Sequence, residues 1–191
     1  NPGVKLSNYA DTRKEAVILE ALLKQGKTEL VGKALKFYYA RSNGGNDPIY
    51  SSYNAKTGEP QYFIPGFDNP YNASPDVGSQ VVIANLAFAY AAKTQDVNVY
   101  NLGKNLVNNL SAYKRFDLKN PGLSHLPVKN IVTFNGVTLW PEAERYTTLD
   151  NVAAYLMAND VLNIQESLPV RDAVLIGQLE ELKSAQEVWL R

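Results

Sequence analysis

The sequence predicts an all-α fold of tandem helical hairpins. Three observations carry that prediction. Apolar residues recur at helical spacing in six segments, short turns join the segments in pairs, and long connections separate the pairs. The first segment, 9–24, carries Ala16, Val17, Leu19, Ala21, Leu22 and Leu23, and Gly26 breaks it. Segment 28–40 follows, with Leu30, Val31, Ala34, Leu35, Phe37 and Tyr38 three and four residues apart. The run Asn43, Gly44, Gly45, Asn46, Asp47 and Pro48 ends it with residues that favour turns over helices. Segment 78–92 is apolar on nearly all sides and is expected to be buried all round. Segment 98–113 is amphipathic, with Val99, Leu102, Leu106, Leu110 and Tyr113 opposite Lys104, Asn105, Asn108 and Asn109. Segments 148–163 and 171–190 flank a break at Pro169. The hairpins are therefore 9–40, 78–113 and 148–190, within a single domain.

The hairpins start roughly 70 residues apart, which fits none of the common short solenoid periods. The connections 43–77 and 116–147, about 35 and about 33 residues long, exceed ordinary loops, and long loops tend to be functional. Strand-like pieces at 49–53 and 130–134 predict small β-hairpins there. In tandem antiparallel hairpins the long connections share one end with the N-termini of the odd helices. The odd helices are expected to be inner and the even ones outer. Loop mass and positive helix-dipole ends then converge on one rim, where any site is expected.

Composition narrows the chemistry. Among 191 residues, 19 Lys and Arg balance 19 Asp and Glu, so the basic excess of a non-specific nucleic-acid binder is missing. Cys is 0 and His125 is the single histidine, which excludes disulfides, thiolate sites and any site needing two imidazoles. His125 lies in a loop between Pro121 and Pro127 and reads as structural or solvated. No apolar run is long enough to span a bilayer. No nucleotide, metal or other cofactor is expected, because neither a phosphate-binding loop nor a calcium-loop spacing is present. No signal-peptide pattern opens the chain. A secreted or periplasmic setting is favoured slightly over a cytoplasmic one.

Three stretches carry a resemblance: 50–58 (YSSYNAKTG), 72–78 (NASPDVG) and 140–151 (WPEAERYTTLDN). They resemble the loops of the six-hairpin α/α-toroid glycosidase superfamily, where similar motifs follow an outer helix or open an inner one. The resemblance implies an α/α-toroid-like arrangement with a carbohydrate site on the long-loop rim. Two departures stand out. Leu149 occupies a place where relatives often have Glu, and three hairpins are present rather than six. The array is then half of a toroid, completed by another segment or by a second copy, or it is open. Half a ring would expose apolar edges and favour a homo-oligomer.

Glycoside hydrolysis needs two carboxylates across the scissile bond. Glu144 is the first candidate acid or base, with Asp76 or Asp150 opposite. Asp76 also reads as an N-cap of the buried helix, as Asp11 does for the first. Thr147 with Asp150 reads as a weak capping box, with Arg145 a local ion-pair partner. Candidate substrate-binding residues are Trp140, Tyr71, Tyr53, Asn54, Arg145, Tyr146 and Asn151. Aromatic rings there stack on sugar C–H faces or anchor the loops to the body. The expected function is a glycoside hydrolase-like domain acting on a poly- or oligosaccharide. The alternatives are a non-catalytic glycan-binding module and a helical scaffold for protein partners.

Overall fold

The computed structural model describes residues 9–60, 75–115, 122–123, 133–134, 137–138 and 148–189. Six α-helices dominate them: α1 (Thr12–Lys24), α2 (Thr28–Arg41), α3 (Val77–Thr94), α4 (Val97–Asn109), α5 (Thr148–Ser167) and α6 (Ala173–Trp189). A 3-10 turn, Leu110–Tyr113, extends α4. Short strands are β1 (Tyr9–Asp11), β2 (Ser52–Asn54), β3 (Lys114–Arg115), β4 (Gly122–Leu123), β5 (Thr133–Phe134) and β6 (Val137–Thr138), pairing antiparallel as β1–β2, β3–β4 and β5–β6. Among the described residues no helix is long and apolar enough to cross a membrane.

Each expected helical segment forms, with shifted ends. The first begins three residues late because Asp11 is its N-cap, accepting from the Lys14 amide at 3.1 Å with an extended backbone. That extended geometry lets residues 9–11 pair with β2, Tyr9 opposite Asn54 and Asp11 opposite Ser52. The strand expected at 49–53 thus finds a partner far away in the chain as well as a local one, since Tyr53 bridges Pro60 across the turn and the Asn54 amide donates to Glu59 O at 2.8 Å. Of 130–134, only β5 falls among the described residues, and it does form a small hairpin with β6. Helix α1 stops at a Schellman motif. Gly26 takes φ +78°, its amide donates to Leu23 O, and the Lys27 amide donates to Leu22 O.

The helices make two layers. In one, α3 lies between α1 and α5; in the other, α4 contacts both α2 and α6. Each hairpin, α1–α2, α3–α4 and α5–α6, joins the layers. Odd and even helices thus alternate between the two layers. Helix α3 holds the centre through Val81, Ile83, Ala84, Ala87 and Phe88, all buried. Its burial is not complete all round. Val82, Asn85 and Ala89, at helical spacing, form a half-buried stripe on the face away from α4. The rest of the core includes an edge-to-face cluster of Phe37, Tyr38 and Tyr53, with ring centroids 5.3–5.9 Å apart.

The surface of the last hairpin is mixed, with Leu149, Leu156, Val174 and Val188 exposed alongside charged side chains. Helix α5 turns Ala154, Met157 and Val161 inward. Asn159 and Glu166 line a shallow depression with Glu180, Lys183 and Glu187 of α6.

Candidate functional site

Three helix N-termini meet at one point. Arg13, the second residue of α1, reaches across to α3 and α5. Its Nη2 and Nε lie 2.5 and 3.1 Å from Asp76 Oδ1, and its Nη1 lies 2.8 Å from Asp150 Oδ1. Asp76 is the N-cap of α3, and the same oxygen accepts from the Ser79 amide at 2.9 Å. Its other oxygen accepts from Ser79 Oγ at 2.7 Å. Asp150 lies in the first turn of α5. Both carboxylates are 1% exposed, and the Arg13 side chain is 31% exposed.

Gly78 makes this geometry possible. A Cβ there would overlap the Arg13 guanidinium and lie 2.5 Å from Asp150 Oδ1. The electrostatics close on themselves. Two carboxylates at the positive ends of α3 and α5 are favoured by those dipoles, and the guanidinium offsets their mutual repulsion. Burial pulls the Arg13 guanidinium down, but Asp76 and then Asp150 more than compensate, so it is held above its ordinary value.

The expected site residues separate into groups. Asp76 and Asp150 do come together on the predicted rim, but with their oxygens turned to Arg13 and the α3 backbone rather than to solvent. The capping alternative for Asp76 is realised in full. Tyr53, expected to meet substrate, belongs to the core. It is 1% exposed, its hydroxyl accepts from the Tyr50 amide at 3.1 Å, and burial pushes its phenol up to about 12. Asn54 organises its own turn, with Oδ1 accepting from the Lys56 and Thr57 amides at 2.9 and 3.2 Å. Asn151 is fully buried and pairs with both backbone groups of Leu123, accepting at 2.9 Å and donating at 3.1 Å, which ties β4 to the start of α5. These contacts replace the substrate roles expected for Tyr53 and Asn151. Glu144, Trp140, Tyr71, Arg145 and Tyr146 lie outside the described residues, as do Thr147 and His125.

Sequence reading missed Arg13. A signal was available: a cation in the first turn opposes the helix dipole and calls for acidic partners. Also missed was a groove of about 380 Å³ on the inner face. Its floor is Val82, Asn85, Leu86 and Ala89 of α3; Val17 and Glu20 of α1 and Asp160 and Ile164 of α5 form the walls. Among the described residues it is lined by no aromatic ring. Its two carboxylates are engaged, Glu20 with Lys24 Nζ at 2.6 Å and Asp160 with Asn85 Nδ2 at 3.3 Å. Among the described residues no group of three potential ligands could hold a metal ion. No protein family, curated protein or solved structure matches the chain.

Proposed function

We propose that this chain is a carbohydrate-active helical-hairpin domain of the six-hairpin glycosidase type, which takes a poly- or oligosaccharide at the end where α1, α3 and α5 begin. The supporting observation is the junction of Arg13, Asp76 and Asp150, which holds three inner-helix N-termini together. The chain enters α3 and α5 there from the two connections that carry Tyr71, Trp140 and Tyr146. On this reading Asp76 and Asp150 are positioning residues. Glu144 is the acid–base candidate, and Trp140, Tyr71, Arg145 and Tyr146 are the binding candidates. The inner-face groove suits a sugar less well, because among the described residues it offers no ring for stacking.

One observation favours binding without hydrolysis. Both Asp carboxylates are buried against a guanidinium, so neither is free to exchange a proton with a substrate. A glycan array followed by a reducing-end assay on the hits separates the possibilities. Glu144→Gln is expected to keep glycan binding and the melting temperature. If the domain hydrolyses its glycan, that substitution lowers turnover by about 10²–10⁴-fold. A chain that binds no glycan on the array refutes the reading.

A further inference from the structure

We propose that the depression between the C-terminal turn of α2 and the exposed side of α4 is a binding subsite for a neutral saccharide, distinct from the inner-helix rim and independent of it. The depression is shallow and open, with a volume of about 540 Å³. It is lined by Tyr39, Asn43, Gly44, Asn46, Asn101 and Asn105. Every polar side chain among these is neutral. Four are carboxamides, each with donor and acceptor capacity, and the fifth is a phenol with an apolar ring.

Much of that capacity is unspent. Asn105 donates its Nδ2 to Gly44 O at 2.8 Å, which leaves its Oδ1. Asn46 uses Nδ2 on Asn43 O at 2.8 Å and likewise keeps its oxygen. The carboxamides of Asn43 and Asn101 and the Tyr39 hydroxyl have no hydrogen-bond partner among the described residues.

The backbone of the turn is held in place. Asn43, Gly44 and Gly45 take φ +49°, +68° and +90° in succession, a left-handed run that glycine adopts freely and asparagine tolerates. Hydrogen bonds and packing fix it. Ser42 Oγ donates to Tyr38 O at 2.7 Å and accepts from the Gly45 amide at 2.9 Å. Asn109 Nδ2 donates to Gly45 O at 2.6 Å. A Cβ on Gly45 would lie 2.8 Å from Leu102 O, so the turn sits hard against α4. The turn backbone therefore need not rearrange on binding, and the ordering cost falls on the side chains alone.

The ligand class follows from the lining. With no charged side chain to select an ion, and with donors and acceptors in balance, the surface matches hydroxyls that both donate and accept. Tyr39, 37% exposed, adds a ring for the C–H face of a sugar. A peptide is the weaker match, because among the described residues the depression is lined by no strand and by Ala40 as its one aliphatic side chain.

The test follows side-chain amide resonances by NMR in the full chain. The probes are cello-, xylo-, malto- and mannohexaose, with an oligogalacturonate and a neutral acetyl-Gly-Ser-Gly amide for contrast. Saturable shifts of the Asn43, Asn101 and Asn105 amides with a neutral hexasaccharide are expected. Asn101→Ala and Tyr39→Ala should each weaken that binding about tenfold while leaving the melting temperature in place. Glu144→Gln should leave the same shifts unchanged, which keeps failure here distinguishable from failure at the rim. The proposal is overturned by no saturable shift with any neutral saccharide, by a stronger response to the oligogalacturonate or the peptide, or by unchanged affinity in both variants.

Discussion

Replacing Gly78 with alanine tests the Arg13 junction without removing any of its charges. In a helix, alanine is favoured over glycine by up to about 1 kcal/mol, so an isolated α3 would gain from the change. In the folded chain the new Cβ overlaps the Arg13 guanidinium and crowds Asp150. The arginine is the group able to move, and moving it leaves two buried carboxylates facing each other. Breaking a buried ion pair costs about 3–5 kcal/mol. The lower end applies, because Arg13 is 31% exposed and Asp76 keeps its Ser79 contacts. The net expectation is a loss of about 2 kcal/mol, or about 4–8 °C in melting temperature for a chain of this size. Urea and thermal unfolding of Gly78→Ala, Arg13→Met and the double variant form the cycle. Arg13→Met alone should cost about 3 kcal/mol. In its background the overlap with the guanidinium is gone and only the crowding of Asp150 remains, so Gly78→Ala should cost clearly less than it does in the parent chain. If Gly78→Ala has the same effect in both backgrounds, the glycine does not serve the ion pair and the reasoning fails.

Two further expectations concern pH. Asp172 caps α6 through the Leu175 amide and accepts Lys104 Nζ at 2.6 Å. The Lys104 contact holds its carboxyl below the usual range, against the pull of partial burial. Its stabilisation is therefore complete above the unfolded value of about 3.9 and is lost as pH falls through the lower folded one. Lys104→Met should flatten the acid limb of urea midpoints by no more than about 1 kcal/mol, and an unchanged limb would show that the pair contributes nothing. Burial raises the phenols of Tyr38, Tyr53 and Tyr113, that of Tyr53 to about 12. Stability linked to them is complete below about pH 10 and is lost as pH rises through the folded values. An ultraviolet titration should show these three ionising only together with loss of helical circular dichroism, and ionisation of all 12 tyrosines near pH 10 with the helices intact would contradict their burial.

The helices were legible because each repeats its own pattern locally. Ala16, Leu19 and Leu23 declare one face of α1 without reference to the rest of the chain. The rim was legible for a similar reason, since Asp11 and Asp76 sit where caps belong and hairpin alternation brings odd N-termini together. The partners were not legible. Tyr53 reads alike whether its ring meets a sugar or Phe37 and Tyr38, because nothing near it in sequence shows which ring lies opposite. Asn151 reads as a polar residue near the expected site, and only the fold brings the Leu123 backbone to it. Residues 9–11 extend a helical pattern until a strand more than 40 residues later claims them. A capping aspartate and a catalytic one also look the same in sequence. What separates them is how many of their oxygens' partners come from the protein itself.

The flanks bear on how the array continues. A ring of hairpins buries each flank against its neighbour, so both flanks must tolerate loss of water. The α5–α6 flank would have to desolvate Glu166, Glu180 and Glu187, with Lys183 the cation beside them in that depression. Burying charges without partners is costly, so any hairpin that packed there would need to bring cations of its own. Lys183 is also positioned over the Tyr155 ring, 6.0 Å from its centroid. On the first hairpin Val17, Ile18 and Leu30 are exposed, the first two adjacent on α1. Helix α3, by contrast, is covered on both sides by its inner neighbours and behind by α4. The burial pattern therefore puts the central hairpin between the other two, while the last hairpin exposes both charged and apolar side chains. A further hairpin packed over that α5–α6 depression would have to bring matching positive charge to it.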